Sequence, residues 1–203
     1  MILIRRVPSL VLAVVLILSV AACSREHEAP TADYAVYAEY SLTNKPMEAG
    51  WNTRVFNKRE VEQGENIRLD DQTGVVTLTP GVYHITAMSL INYYDTTQPT
   101  IIPNSLTPPA GYARLRHLDD ALPADVIPTI EVIDASNAKA LSVGTGSDAN
   151  ALPSFMETYV TVEDEAKLVV EHQVGDEVDG LYLQSNANGS IWHINARISI
   201  RRL

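Results

Sequence analysis

From Tyr34 onward, apolar and polar residues alternate with a period of two, the pattern of β-strands that bury one face. The cleanest run is Ile191–Arg201. There Trp192, Ile194, Ala196, Ile198 and Ile200 fall on one face, and His193, Asn195, Arg197, Ser199 and Arg201 on the other. Noisier runs of the same kind predict strands at Tyr34–Leu42, Gly74–Thr79, Val82–Ile91, Thr129–Ile133, Met156–Glu163, Lys167–Gln173 and Leu181–Gln184. Turn chemistry separates them at Asp71–Gly74, Pro80–Gly81, Glu163–Glu165, Gly175–Asp176 and Asn186–Gly189. No long amphipathic helix is written into the chain; Asp119–Ala124 makes at most a short turn.

About 8–10 antiparallel strands with turns every 8–12 residues or so predict an all-β sandwich or barrel. Two stretches break the rhythm. Asn92–Ala110 holds four prolines, Pro99, Pro103, Pro108 and Pro109, and Ser136–Pro153 is rich in Ser, Asn, Ala and Gly. These predict long surface loops, where binding residues usually gather on a rigid sandwich. Asn92, Tyr93, Tyr94, Asp95, Asn137 and Asp148 are the ligand-binding candidates they supply.

The first residues follow another pattern. Arg5 and Arg6 precede the apolar run Leu10–Leu18, which ends in Ser19-Val-Ala-Ala22 before Cys23. The run is well short of the roughly 20 residues that span a bilayer, so it reads as a cleaved export signal over 1–22. Val20-Ala-Ala-Cys23 resembles the bacterial lipobox, which implies that Cys23 is lipidated and becomes the new N-terminus. Two or more acyl chains would hold the protein durably at a membrane. In the sorting pattern of such proteins an Asp after the cysteine retains them at the inner membrane; Ser24 stands here, which implies the outer membrane where the cell has two. Residues 23–33 are then the lipidated cysteine and a short polar tether, and 34–203 the folded domain.

Charge narrows the partners. The chain carries 15 basic and 25 acidic residues, formally −10, and the signal removes two arginines and no acid. So acidic a domain is not built for nucleic acid or for docking on anionic lipid through its protein surface. Cys23 is the only cysteine, so the domain holds together without disulfides.

Trp51–Phe56 followed by Asn66–Ile85 resembles the complement-C1q/tumour-necrosis-factor-like jelly roll. In that family a Thr-Gly-x-Phe-Thr turn and strand leads closely into Pro-Gly-x-Tyr. Here Thr73-Gly-Val-Val-Thr77 and Pro80-Gly-Val-Tyr83 stand in those places. Val76 replaces the usual Phe, and no collagen-like Gly-x-y stalk is present. Gly74 and Gly81 are expected in tight turns, and Tyr83 as a core or interface ring. The resemblance implies a jelly-roll β-sandwich, a homotrimer around a threefold axis, and a closing strand from Trp192 to Ile200. Tyr83, Trp192, Ile194 and Ile198 are the candidates for the oligomer interface or the core. Tyr34, Tyr37, Tyr40, Tyr93, Tyr94, Tyr159 and Tyr182 are further candidates for that interface, with ordinary sheet packing, hydroxyl at the surface, the expectation for most of them.

No catalytic or metal pattern emerges. The five histidines, His27, His84, His117, His172 and His193, stand singly, without metal-ligand spacing. Ser136-Asn-Ala-Lys139 lacks the partner motifs of penicillin-binding enzymes, and Gly144-Thr-Gly146 lacks the rest of a dinucleotide site. Asp70-Asp71, Asp119-Asp120, Glu163–Glu165 and Asp176–Asp179 could offer oxygen ligands to Ca²⁺, but they read first as solvated turns. The expectation is a non-enzymatic lipoprotein that needs no cofactor and binds a protein or an envelope glycan, or else a structural component of the envelope.

Overall fold

The computed structural model describes residues 32–93, 109–118, 140–174, 179–185 and 193–203. In chain order the strands are β1 (Tyr34–Tyr40), β2 (Lys45–Pro46), β3 (Gly50–Thr53), β4 (Lys58–Gln63), β5 (Ile67–Asp70), β6 (Val75–Leu78) and β7 (Gly81–Ser89). They continue with β8 (Asn92–Tyr93), β9 (Pro109–His117), β10 (Ala140–Asp148), β11 (Ser154–Val162), β12 (Ala166–Val174), β13 (Leu181–Gln184) and β14 (Ile194–Arg202). No helix occurs among the described residues.

Two sheets form the body, and every recorded strand pair is antiparallel. The first sheet runs β11-β7-β14-β1-β4 and the second β10-β9-β12-β6-β5, with β3 also on β12. Take β1, β6, β7, β9, β10, β11, β12 and β14 as first to eighth. The first sheet then reads sixth, third, eighth, first, and the second reads fifth, fourth, seventh, second. That interleaving of strands between two sheets is the jelly roll, a double Greek key. A small third sheet, β2-β13-β8, lies where β1, β7 and β12 end.

Alternation decides what each strand buries. Tyr83, Ile85 and Ala87 of β7 and Ala196, Ile198 and Ile200 of β14 point inward from the first sheet, facing Val76, Leu78, Ala113, Leu115, Leu168 and Val170 of the second. The residues between them on β14, Arg197, Ser199 and Arg201, are exposed. At the base of the sandwich, the end holding Tyr34, Gly81 and Arg202, the chain enters and leaves side by side: the Arg202 amide donates to Asp33 O at 2.8 Å. At the opposite end, the crown, a second apolar cluster gathers Met47, Ile91, Ala149, Val174, Leu181 and Leu183, with Tyr93 against it.

The structure revises several expectations. The predicted loop Ser136–Pro153 contains β10, and the predicted loop Asn92–Ala110 begins with β8 and ends in the first residues of β9. β10 was hidden because its inward residue Ser147 is polar and its pairing with β9 slips three times, so no apolar alternation marks it. β4, with sequence Lys-Arg-Glu-Val-Glu-Gln, is a charged edge strand of the kind that discourages further pairing. Gly74 does adopt a positive φ of 77°, and its α-carbon lies so close to the Arg54 carbonyl that a side chain would collide. Gly81 is not in that region; it opens β7, and the Arg202 guanidinium crosses over it. Cys23 and the signal, the strand expected at 129–133, and Tyr94, Asp95, Asn137 and Trp192 lie outside the described residues.

Candidate functional site

Antiparallel register places the outward side chains of the first sheet in rows. One row reads Tyr159, His84, Arg201, Tyr34 and Gln63 across β11, β7, β14, β1 and β4. The next reads Glu157, Thr86, Ser199, Val36 and Val61, and the third Phe155, Met88, Arg197, Ala38 and Lys58. On β11 the alternation buries Met156 and turns Phe155 and Tyr159 to solvent, at 57% and 67% exposure. Exposed rings carry meaning when they join a contiguous apolar patch rather than stand singly.

Two apolar patches result, divided by the polar strip of β14. The first comprises Phe155, Tyr159, Val82 and Met88 on β11 and β7; the second comprises Tyr34, Val36 and Val61 on β1 and β4. A groove of about 520 Å³ runs along the first patch, lined by Thr86, Met88, Phe155, Glu157, Arg197 and Ser199. The His84 ring stacks on Tyr159, with centroids 4.6 Å apart, while its Nε2 lies 2.7 Å from Glu157 Oε1. On the strip, Arg197 pairs with Glu60, which also accepts from the Tyr40 hydroxyl at 2.9 Å. Partial burial pushes the Glu60 carboxyl up, but those two hydrogen bonds and the arginine charge outweigh it and hold the group below the usual carboxylate range. Lys58, Arg197 and Arg201 stand against Glu60 and Glu157, so this face escapes the strongly acidic balance of the whole chain.

A second, buried constellation lies where the strands meet the crown. Arg54 is fully buried; its Nη1 reaches Glu39 Oε2 at 2.9 Å and Leu183 O at 2.5 Å, its Nη2 reaches Leu90 O, and its Nε donates to Ser89 Oγ at 2.8 Å. Burial lowers the guanidinium's proton affinity and Glu39 restores part of it. Ser89 Oγ, which accepts from Arg54, also lies 2.7 Å from His172 Nδ1, and His172 Nε2 lies 3.2 Å from Ser147 Oγ, the imidazole tautomer setting which atom donates in each. Gln184 donates to the other Glu39 oxygen at 2.5 Å. Ser89 and His172 are both sealed from solvent, so the pair offers no nucleophile to a substrate. Among the described residues no group of three His, Cys, Asp or Glu is arranged to hold a metal ion.

The candidates from sequence are redistributed. Tyr83 and Ile198 belong to the main core, and Tyr83 is held by its hydroxyl donating to Thr79 O at 2.9 Å. Ile194 is only half-buried, because Asn195 is an extra residue in the β1–β14 ladder: Glu39 pairs with Ala196 and Tyr40 with Ile194. Asn92 is not a ligand-loop residue; it is buried and donates to Asn195 Oδ1 at 2.6 Å. Tyr93 packs against the crown cluster rather than extending into solvent. Asp148 is exposed but ends β10, its backbone paired with Leu152. Phe155 was missed as a candidate. Its signal was present in Ser154–Val162, where rings and aliphatics occupy both alternating sets, so one set has to face outward.

The outer face of the second sheet differs. Glu171 binds Arg114 Nε at 2.8 Å and Arg116 Nε at 3.0 Å, and Arg114 lies 3.7 Å over the Trp51 ring. Burial pushes the Glu171 carboxyl up, but the two arginines overcome this and hold it low.

Fold and strand order define a double-sheet jelly-roll domain, the fold that the C1q-like resemblance of Thr73–Thr77 and Pro80–Tyr83 implied. Among solved structures the chain is similar to the globular domain of zebrafish complement 1qA protein. The identity is 14% and the TM-score 0.40, over 85% of this chain and 96% of that one. No protein-family model matches the sequence, and no curated protein matches it.

Proposed function

We propose that this protein is a lipid-anchored, non-enzymatic binding and assembly domain that closes into a homotrimer through the outer face of its first sheet. The observation that carries this reading is the pair of apolar patches on that face. Phe155 and Tyr159 lie on one side of the β14 strip, and Tyr34 and Val61 on the other. Two unlike patches on one surface suit a head-to-tail contact, in which the β11 patch of one copy covers the β1–β4 patch of the next and the ring closes. The near-neutral charge of this face favours the same contact, since copies of an acidic chain repel each other least there. Three copies is the number that the C1q-like resemblance implies. The protein or glycan ligand of the assembled particle would meet surfaces left open by that contact.

Light scattering during size exclusion tests this: the expected mass is three chains, net of bound lipid or detergent. Tyr159→Arg and Val61→Arg should each give monomers. Mixed together they should form a heterodimer, because one wild-type junction survives between them in a head-to-tail contact. A mixture that stays monomeric would rule out that geometry, and a monomeric wild type would rule out self-association. Anchoring through Cys23 has its own test. Cys23→Ser should abolish incorporation of labelled fatty acid and release the protein from membranes, and label persisting on the variant would overturn the lipobox reading.

A further inference from the structure

We propose that self-association of this domain is proton-linked through His84: copies bind each other more tightly near pH 6 than near pH 8. The inference rests on the self-association reading and concerns its regulation. His84 is the one histidine of the described residues in the rows of the first sheet's outer face, and it lies inside the β11–β7 patch.

Three groups surround it. From β11, Glu157 contributes its carboxylate at 2.7 Å and Tyr159 its ring face at 4.6 Å. From β14, Arg201 stands opposite in register, exposed and without an ion pair among the described residues. On β7 itself the flanking outward residues are Val82 and Thr86, which carry no charge. In the proposed contact the covering patch is apolar, Tyr34, Val36 and Val61, with Gln63 beside it. The ionised groups of that strand are Glu60, already held by Arg197 and Tyr40, Glu62, which accepts from the Tyr37 hydroxyl and lies 3.5 Å from Arg59, and Lys58 one row further on. Arg201 of the covering copy stands beside its Tyr34 in register.

In the free chain Glu157 is largely exposed and water solvates it whatever the state of the ring. Covered by valines and a tyrosine, the Glu157 carboxylate loses that solvation at a cost that one hydrogen bond from a neutral imidazole does not offset. A second proton on His84 makes the pair neutral overall, puts a charge on the donor side of the hydrogen bond as well as on the acceptor, and places a cation against the Tyr159 ring. Arg201 opposes the added charge, but it can extend toward water, whereas Glu157 is in contact. The assembled state therefore binds the proton more tightly than the free chain, and by linkage acid favours assembly.

Sedimentation equilibrium of the intact protein near pH 8 and near pH 6 reads this directly. The association constant should rise as the pH falls, with a slope of up to about tenfold per pH unit per contact, the limit for one proton. H84Q should still assemble, with a constant that no longer depends on pH. E157Q should assemble more tightly than wild type near pH 8 and lose the dependence. A wild type that assembles equally at both values, or an H84Q chain that keeps the dependence, overturns proton linkage and leaves self-association standing. A wild type that is monomeric at both values overturns self-association and this inference with it.

Discussion

The two halves of this interior are built on the same strands and by opposite means. Toward the base, the sheets meet through Ile85, Ile198, Ile200, Leu78 and Leu168, side chains whose stabilising effect scales with the area they remove from water. Toward the crown, the same strands present Glu39, Ser89, His172 and Asn195, and the gap is bridged by Arg54 and its hydrogen bonds. No buried side-chain nitrogen or oxygen among the described residues lacks a partner. An apolar contact tolerates a shifted neighbour; a buried guanidinium with five donors does not. The base supplies bulk stability, and the crown fixes which strand ends lie together and how β8 and β13 dock on them.

That contrast can be broken most severely at Arg54. Arg54→Met leaves Glu39 buried beside only Gln184 and should cost about 3–5 kcal/mol in urea unfolding, whereas Arg54→Met with Glu39→Leu should recover much of the loss. An unchanged midpoint for the single variant would show that the crown network is dispensable. In the base, Ile198→Ala should cost about 2–5 kcal/mol, with no rescue by any single partner because its contacts are spread over the core. The smallest effect sharpens the comparison, since it concerns a polar atom of the base. Burial, the hydrogen bond to Glu62 and that carboxylate's charge all raise the Tyr37 phenol above its ordinary range. Its folded form stays protonated where the unfolded chain ionises, so this stability is complete below about pH 10 and is lost as the pH rises beyond it. Tyr37→Phe should change neutral stability by less than about 1.5 kcal/mol and flatten the alkaline arm of a stability–pH curve. An alkaline arm as steep as that of wild type would place its origin elsewhere.

How far the amino-acid sequence carried the fold follows the same division. From Ala196 to Arg201 the alternation predicts inside and outside residue by residue, because the base demands apolar side chains on one face only. One residue earlier it fails: Asn195 is buried beside Ala196, since the ladder bulges there and the interior has turned polar. β10 fails for a related reason, its buried Ser147 serving His172 rather than a hydrophobic core. The candidate site was legible only as strands. Alternation places Phe155, Glu157 and Tyr159 on one face of β11 and Met156 on the other. Which face is outward follows only from the sheet packed behind it.

The side-by-side entry and exit of the chain at the base also sets how the domain bears load. A pull on the chain before Asp33, resisted by a partner held at the crown, stretches β1 along its own length. Its bonds to β14 and β4 then share the force and must fail together. A pull applied between residues 32 and 203 instead opens the β1–β14 ladder from Arg201 inward, one pair at a time. The same strands are thus a shear joint in one direction and a zipper in the other, and a tether at the base with a grip at the crown selects the shear joint.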